Sequence, residues 1–426
     1  MNPTKLIEQM NHPDREVRLQ ALRAWKALEK AGKVPKPALR ENDANNHIHT
    51  IYSFSPYSPV KAAFCAYQAG LGTMGIMDHD SLSGAREFLN ACDILGTAAT
   101  VGFEFRCHFR LPGLGSRRIN NPDQNDHSYV AVHGIPHQNI DSLNAFLAPY
   151  RERRNDRNRR MVKKINDRFQ SFGIRLDFEA DVLPLSMARE GGSVTERHLM
   201  YALSIKIADR FGRGQGTVDF LDRELKIALS DKVRGYLLDG DNPHYLYDLL
   251  GVLKSDTSFF YLDAEEESCE ISALVAEAKK AGAIVAYPYL GDVGGSVTGD
   301  KRPQKFEDDI LDELIAEVAA RGIRAVAYMP TRNTRAQLDR LRGLCREKAF
   351  FEISGEDINS PRQKFECEAL KDPAYANLIQ STWALIGHEK AATLDPEDGM
   401  FTPKTEKAFP DLEERIRHFA EIGRSC

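Results

Sequence analysis

Histidines and carboxylates recur at the ends of short apolar stretches in the first quarter of the chain. His47 and His49 close the first stretch, Asp78 and His79 close the second, and Glu104 closes the third. Side chains two positions apart on a β-strand point to the same face, so His47 and His49 can reach one metal ion. Imidazole and carboxylate groups together suit manganese, iron or zinc. These residues therefore predict a metal site to which Glu104 contributes.

The stretches that must position these residues alternate between strand and helix patterns. Strands are predicted at 44–49, 73–77 and 97–103, with helices at 59–70 and 83–95 between them. A further short strand is predicted at 129–132. The alternation returns later in the chain, with strands predicted at 283–287, 325–328 and 350–353. This order predicts an α/β fold with a parallel sheet or an α/β barrel. In such folds the functional site lies at the carboxyl ends of the strands, where the polar residues fall.

The middle of the chain has a different pattern. Few strand signals occur there, and a long basic helix is predicted at 150–172. Nine Lys and Arg residues between positions 151 and 168 could form a solvated helix face or could attract a polyanionic substrate. The predicted organisation is an N-terminal helical segment (1–40), a barrel in two parts (41–139 and 266–365), an inserted helical domain (140–265) and a C-terminal helical tail (366–426).

Composition excludes several classes of function. The net charge of −5 provides no overall attraction to nucleic acid or to a membrane surface. The seven cysteines are scattered and lack CxxC spacing, which is typical of reduced thiols. No apolar run is long enough to span a bilayer, and the N-terminal residues do not have the pattern of a signal peptide. We therefore expect a cytoplasmic protein that does not act at a membrane.

Three further positions have the residue types that a phosphate or metal site uses. Asp357 follows the predicted strand at 350–353, and it is either a turn residue or a last carboxylate ligand. Arg197 and His198 begin a predicted helix, where they form either an ordinary helix start or an anion site. Asp78 and His79 are open to a similar alternative, because the residues after them could simply cap the next helix.

Taken in order, these residues resemble the PHP superfamily, named for polymerase and histidinol phosphatase. The chain is most similar to the metal-dependent phosphoesterases with a helical insertion, which include nucleoside-bisphosphate phosphatases and exoribonucleases. The resemblance covers roughly residues 41–365 and rests on the stretches 47–49, 75–80 and 102–104, with support from 150–154, 171–174, 197–198, 282–288 and 354–357. It implies a distorted (βα)7 TIM-like PHP barrel with an inserted helical domain and with metals at its carboxyl face.

The family's metal ligands are only partly present. One ligand set implied by the resemblance is complete, namely His47, His49, Glu104 and Asp357. At two other ligand positions the family has histidine, whereas this chain has Tyr287 and Asn359, and near a third, where the family has aspartate, stand Phe54 and Ser55. His133 is the nearest match to a further expected histidine. The resemblance thus implies one firm site for a divalent ion (manganese, iron or zinc) and at most a weak second site.

The function that this resemblance implies is a metal-dependent hydrolase, a phosphoesterase that acts on a small phosphate ester or a nucleotide through a metal-activated water. We expect His79 to donate a proton to the leaving group while Asp78 holds its tautomer. Arg197, His198 and Arg362 are the predicted contacts of the substrate phosphate. Nucleic acid is expected only as a short oligonucleotide.

Two alternatives remain open. Loss of ligands for paired metals argues against phosphoryl transfer, and it favours a single-metal enzyme that cleaves a C–N or C–O bond of a non-phosphate substrate. The barrel could also be a catalytically degenerate PHP module that only binds a ligand. Survival of one complete ligand set argues against that second alternative.

Overall fold

The computed structural model of the protein describes residues 2–292 and 305–425. It contains eight strands, which confirm every predicted strand and add a short one. These are β1 (Arg40–Ile48), β2 (Leu71–His79), β3 (Ala98–His108), β4 (His127–His133), β5 (Cys269–Glu270), β6 (Ile284–Tyr289), β7 (Ala325–Tyr328) and β8 (Phe351–Ser354). All eight belong to one sheet in the order β1-β2-β3-β4-β6-β7-β8, and β5 pairs with β3.

The sheet is a nearly closed barrel, as the sequence predicts. Ile48 at the end of β1 forms a parallel bridge with Ile358, which follows β8. Backbone hydrogen bonds join His49 N to Ile358 O at 3.0 Å and Ile358 N to His47 O at 3.1 Å. Because the first and last strands meet at this point, residues near positions 47 and 357 become neighbours.

One strand departs from the predicted parallel arrangement. β4 is antiparallel to both of its neighbours, β3 and β6. The connection from β3 to β4, residues 109–126, contains no helix in the described structure. Parallel pairing needs a crossover of a dozen or more residues that is usually a helix, whereas a chain that turns straight back pairs antiparallel.

Helices cover the outer face of the barrel. Those before and between the first strands are α1 (Pro3–Gln9), α2 (Arg15–Lys30), α3 (Pro59–Gln68) and α4 (Ala85–Leu95). Arg18 of α2 and Glu87 of α4 form a buried ion pair, with Arg18 Nε 2.7 Å from Glu87 Oε1. The N-terminal helices are therefore part of the barrel's outer layer rather than a separate arm.

The middle of the chain is helical, as predicted. It contains α5 (Ile140–Phe169), α6 (Glu196–Phe211), α7 (Gln215–Asp219), α8 (Asp231–Leu238) and α9 (Tyr245–Lys254). These helices enclose a hydrophobic cluster of their own, to which the barrel contributes Phe54 from the loop after β1. The barrel then resumes with α10 (Ile271–Lys280), α11 (Leu311–Ala320) and α12 (Arg335–Glu347).

The C-terminal helices fill the barrel from one end. They are α13 (Ala376–Leu394), α14 (Pro403–Ala408) and α15 (Leu412–Arg424). Ala384 and Leu385 of α13 share a buried cluster with small inward residues of the strands, such as Ala286 and Ala327. Glu389 of α13 accepts hydrogen bonds from Thr100 Oγ1 at 2.7 Å and from the backbone N–H of Val101 at 2.8 Å.

The inner face of α5 is charged and buried, so the interpretation of its basic run as a solvated helix face holds only for the outer side of the helix. Arg154 and Arg157 are 3 % and 2 % exposed. Together with Arg106 of β3 they surround the carboxylates of Glu196 and Glu267. Arg154 also pairs with Asp80, in the loop after β2. Three guanidinium groups thus meet three carboxylates. Arg151, a fourth buried arginine, donates to the backbone carbonyl of Asp80 at 2.7 Å. These arginines are therefore engaged inside the protein rather than left to attract a polyanion.

Six of the seven cysteines are free thiols, and Cys426 lies outside the described residues. No helix in the described ranges has the length and apolar character required to cross a membrane.

We predict that Arg157→Met destabilises the protein by about 3–5 kcal/mol, because it leaves two buried carboxylates short of a partner. Arg160→Met on the same helix is the matched control, since that side chain is 51 % exposed, and it should change stability by less than about 0.5 kcal/mol. Urea denaturation of both variants measures the difference. Equal stability of the two variants would show that the buried pairs do not hold α5 on the barrel.

Candidate metal centre

The predicted ligands meet where the barrel closes. His47 and His49 lie at the end of β1, and the segment after β8 passes directly over them. Gly355 permits this approach, because a Cβ at that position would lie 2.7 Å from the Cβ of His47. The chain then places the Asp357 carboxylate 3.1 Å from His49 Nε2. Residues more than 300 positions apart thereby form one cluster.

Glu104 and His79 complete this cluster from the neighbouring strands. Glu104 Oε2 lies 3.2 Å from His79 Nδ1, and Glu104 Oε1 lies 3.7 Å from His47 Nε2. The ring centroids of His49 and His79 are 4.7 Å apart. Two overlapping groups have mutually close ligand atoms, His47–His49–Asp357 and His49–His79–Glu104. The structure therefore brings together all four residues of the firm site and adds His79 to them.

The geometry of these contacts fits a divalent metal. His49 Nε2 and His79 Nδ1 are buried, and neither nitrogen has a partner in hydrogen-bond geometry among the described residues, although a carboxylate oxygen lies close to each. Atoms that share a tetrahedral metal at about 2 Å lie about 3.3 Å from one another. The nitrogen–oxygen distances of 3.1 and 3.2 Å match this spacing.

Burial and neighbouring charges shift the pKa values of most of these groups toward the protonation states that metal ligands need. Burial and the neighbouring His49 lower the pKa of His47 to about 4. Burial, His49 and Arg154 bring the pKa of His79 well below its ordinary value. Burial would raise the pKa of Asp357, but the contact with His49 and the charge of Arg197 hold that pKa well below the usual range. At neutral pH, His47 and His79 are thus neutral imidazoles and Asp357 is a carboxylate, which are the protonation states that bind metals.

The pKa of His49 shifts in the opposite direction from those of His47 and His79. Burial lowers its pKa, but Asp357, Glu104 and Asp78 outweigh burial, so that the pKa of His49 is raised above its ordinary value. Below this raised pKa, an ion that binds at this position must displace a proton from His49.

The hydrogen bonds of Asp78 place it beneath His49 rather than beside His79, the residue whose tautomer it was predicted to hold. Its carboxylate accepts from Thr50 N and Thr50 Oγ1, both at 2.6 Å, and from Ser53 Oγ at 2.7 Å. Ser53 Oγ in turn lies 3.3 Å from His49 Nδ1. Asp78 thus fixes the loop after β1 and, through Ser53, the ring of His49.

A pocket opens above the cluster, between the barrel face and the inserted helices. Arg197 at the start of α6 lines it, together with Tyr129 of β4. The side chain of Arg197 has no ion pair or hydrogen bond among the residues that the structure describes. Arg106 donates to the hydroxyl of Tyr129 at 2.8 Å, which leaves the hydroxyl proton of Tyr129 able to donate into the pocket.

The other predicted site residues divide into two groups. His133 and Asn359 line the pocket. His133 Nε2 is buried and has no hydrogen-bond partner among the described residues, and burial together with His47 lowers the pKa of His133 to about 3. Asn359 donates to Asp357 Oδ1 at 2.6 Å.

His198 and Arg362 lie outside the pocket, although both were predicted to contact the substrate. His198 Nδ1 accepts from Thr195 N at 3.0 Å and caps α6. Arg362 Nε donates to Asp248 Oδ1 at 2.6 Å. Both side chains are thus occupied elsewhere, which argues against direct contact with a substrate in the pocket.

Tyr287 also points away from the cluster. It packs in the outer layer of the barrel, and its hydroxyl donates to Glu307. Because side chains alternate along β6, Pro288 lines the pocket in its place.

Several pocket residues carry no sequence signal of their own. Tyr129 stands in an ordinary strand pattern, and Lys254 is the last residue of α9, 175 positions after His79, the nearest histidine of the cluster. Their place at the site depends on how the inserted helices dock. The ligands are recognisable in the sequence because their residue types and spacing are unusual, whereas no sequence pattern marks Tyr129 or Lys254.

Two solved structures share this architecture. One is a Bifidobacterium adolescentis protein provisionally assigned as a metal-dependent phosphoesterase, with a TM-score of 0.51 and 17 % identity over 80 % of this chain and 96 % of that chain. The other is an amidohydrolase from Chromobacterium violaceum with bound sulfate and no metal, with a TM-score of 0.50 and 14 % identity over 76 % of this chain and 89 % of that chain. Comparisons with protein-family models and curated protein sequences give no significant match. At these identities the similarity establishes the barrel fold.

We predict that His47→Ala weakens manganese binding by at least about tenfold, since even indirect partners of metal ligands account for about 10–100-fold in affinity. His12→Ala, which removes an exposed histidine, should bind like wild type. Titration of metal-free protein with manganese, followed by the paramagnetic resonance of the free ion, measures both affinities. Unchanged binding by His47→Ala would exclude the cluster as the manganese site.

We further predict that manganese affinity rises with pH and then levels off. Below the raised pKa of His49 a proton competes with the ion, and one displaced proton costs about tenfold in affinity per pH unit. Above that pKa the competition ends. Calorimetric titrations in buffers with different heats of ionisation measure the proton released. A pH-independent affinity without proton release would contradict the protonated state assigned to His49.

Proposed function

We propose that this protein is a metal-dependent hydrolase of the PHP type that cleaves a small phosphate ester or a nucleotide. The observation that carries the proposal is the position of Arg197. Its guanidinium group faces the same pocket as the imidazole–carboxylate cluster and has no ion pair among the described residues. A cation left available beside a metal-binding cluster suits an anionic substrate, and a guanidinium matches the oxygens of phosphate in geometry.

The proposed ligands are the five residues of the cluster, with His133 in reach of a second, weaker position. A divalent ion such as manganese, iron or zinc would supply Lewis acidity toward a phosphoryl oxygen and would lower the pKa of a water molecule. The residues of the cluster are His47, His49, His79, Glu104 and Asp357. Because the pKa of His79 lies well below 6.5, its imidazole is neutral at neutral pH. We therefore assign His79 to metal binding in place of proton donation.

The remaining groups would bind and orient the substrate. Arg197 would hold the non-bridging oxygens, and the Tyr129 hydroxyl would donate a hydrogen bond to one of them. Burial keeps the pKa of Tyr129 above its ordinary value, so the hydroxyl retains its proton. His198 would act as a positioning residue, because its cap on α6 fixes the first turn from which Arg197 projects.

A second candidate function is hydrolysis of a C–N or C–O bond in a substrate without phosphate. Asn359 favours it, because this amide occupies the pocket beside Asp357 at a position where phosphoesterases of the PHP type have histidine. An amide there adds a hydrogen-bond donor and acceptor but no strong metal ligand. The fold shared with an amidohydrolase is compatible with this alternative.

We predict that Arg197→Met lowers kcat/KM for a phosphate ester by about 10–100-fold, the size expected for one charge-assisted hydrogen-bond partner. Arg210→Met, near the exposed C-terminal end of the same helix, should retain wild-type activity. The assay uses manganese- or zinc-loaded protein with aryl phosphates and nucleoside monophosphates. Equal activity of both variants would show that Arg197 does not bind the substrate.

The same assay separates the candidate functions when amides and lactones are added to the panel. Glu104→Gln provides the background for every substrate, because it removes the carboxylate shared by His47 and His79. Turnover of amides or lactones alone would replace the phosphoesterase with the second candidate. Metal binding without turnover of any substrate would leave a ligand-binding module.

A further inference from the structure

A second group of residues of metal-binding types lies at the carboxyl end of β3, four residues beyond Glu104, and none of its members lines the pocket. His108 is the last residue of β3, and it pairs directly with His127, the first residue of β4. Their ring centroids are 4.5 Å apart. Glu265, in the segment that returns from the inserted helices to β5, places its carboxylate oxygen 3.8 Å from His108 Nδ1. Ligand atoms of the three residues all lie within 4.8 Å of one another.

Backbone carbonyls orient both imidazoles. His108 Nε2 lies 3.1 Å from the carbonyl oxygen of Glu265, and His127 Nδ1 lies 2.9 Å from the carbonyl oxygen of Asn125. A carbonyl can only accept, so each of these nitrogens carries the ring proton. His108 Nδ1 and His127 Nε2 therefore carry no proton, and each has a lone pair that can accept a hydrogen bond or bind a metal ion. Histidines that bind metals commonly donate their other N–H to a carbonyl in this way.

A side-chain amide occupies the position between these groups. Gln124 Nε2 lies 3.4 Å from His127 Nε2 and donates to Glu265 Oε1 at 2.8 Å. Gln124 Oε1 accepts from the backbone N–H of Ala264 at 2.7 Å, which fixes the orientation of the amide. His108 Nδ1 remains buried and without a hydrogen-bond partner among the described residues. The amide nitrogen thus lies between His127 and Glu265, and it leaves the buried His108 Nδ1 unsatisfied.

We propose that His108, His127 and Glu265 form a second metal site, which takes a divalent transition-metal ion such as zinc. Two imidazoles and one carboxylate suit zinc, and a water molecule can complete the coordination because the Glu265 side chain is 58 % exposed. The ion would join the β3–β4 hairpin to the segment that returns from the inserted helices. The site shares no residue with the pocket cluster, so it does not depend on the proposed function.

The test is a calorimetric zinc titration of the full, metal-free chain. Wild type should show a binding step beyond that of the pocket cluster. Glu265→Gln retains the size of the side chain and an oxygen that can accept from Gln124, but it removes the negative charge, so this step should weaken by at least about tenfold. Glu266→Gln changes an exposed neighbour of the same charge and should leave the step as in wild type. Manganese binding by the pocket cluster should be the same in all three proteins.

A second variant tests the buried ligand. His127→Gln should lose the same zinc step, and circular dichroism shows whether the variant is folded; if it is not, Glu265→Gln alone decides. Identical zinc titrations for wild type and Glu265→Gln would overturn the proposal and leave Gln124 as the complete partner of the group. Equal weakening by Glu265→Gln and Glu266→Gln would also overturn it, because it would indicate diffuse attraction to an acidic surface.

Discussion

The structure depends on a buried network of charges between the barrel and the inserted helices. The Glu196 carboxylate lies among the guanidinium groups of Arg106, Arg154 and Arg157, which come from β3 and α5. Isolated buried charges are costly, and they become tolerable only when partners satisfy them fully. The network therefore permits essentially one arrangement of the inserted helices on the barrel, since any shift would leave ions unpaired.

The same network also fixes the start of α6, which lies beside the pocket. Glu196 is the first residue of α6, and Arg197 is the second. By holding Glu196, the network fixes the start of the helix and directs Arg197 toward the metal-binding cluster. Arg106, which belongs to the same network, also donates to the hydroxyl of Tyr129 and so fixes the position of that side chain. The groups proposed to bind substrate are thus positioned by residues that never meet the substrate.

The fold and the cluster were largely predictable from the sequence, for physical reasons. Apolar runs ending in His47, His49 and Glu104 mark strand ends, and strand ends of such sheets converge, so their proximity follows from topology. The direction of β4 could also have been read from the helix-free connection before it. The placement of Asp357 beside His49 needed the family resemblance, because spacing alone does not order strands around a barrel.

The contacts of charged side chains were not predictable in this way. The basic run of α5 contains Arg157, which is buried, and Arg160, which is exposed, and residue type does not distinguish them. Whether each arginine is buried depends on carboxylates that come from distant parts of the chain. For the same reason Arg362, a reasonable phosphate contact by type, proves to be paired with Asp248.

The closure of the barrel by α13 has a consequence for synthesis on the ribosome. Ala384 and Leu385 belong to the hydrophobic cluster inside the barrel, and Glu389 accepts hydrogen bonds from Thr100 and Val101 of β3. The ligand His47 leaves the ribosome more than 300 residues before Asp357, and α13 follows later still. A nascent chain that has made β1 to β4 therefore carries exposed strand edges and an incomplete ligand set. The full cluster can form only after Asp357 has emerged, so a chain that stops short of this residue is prone to aggregation.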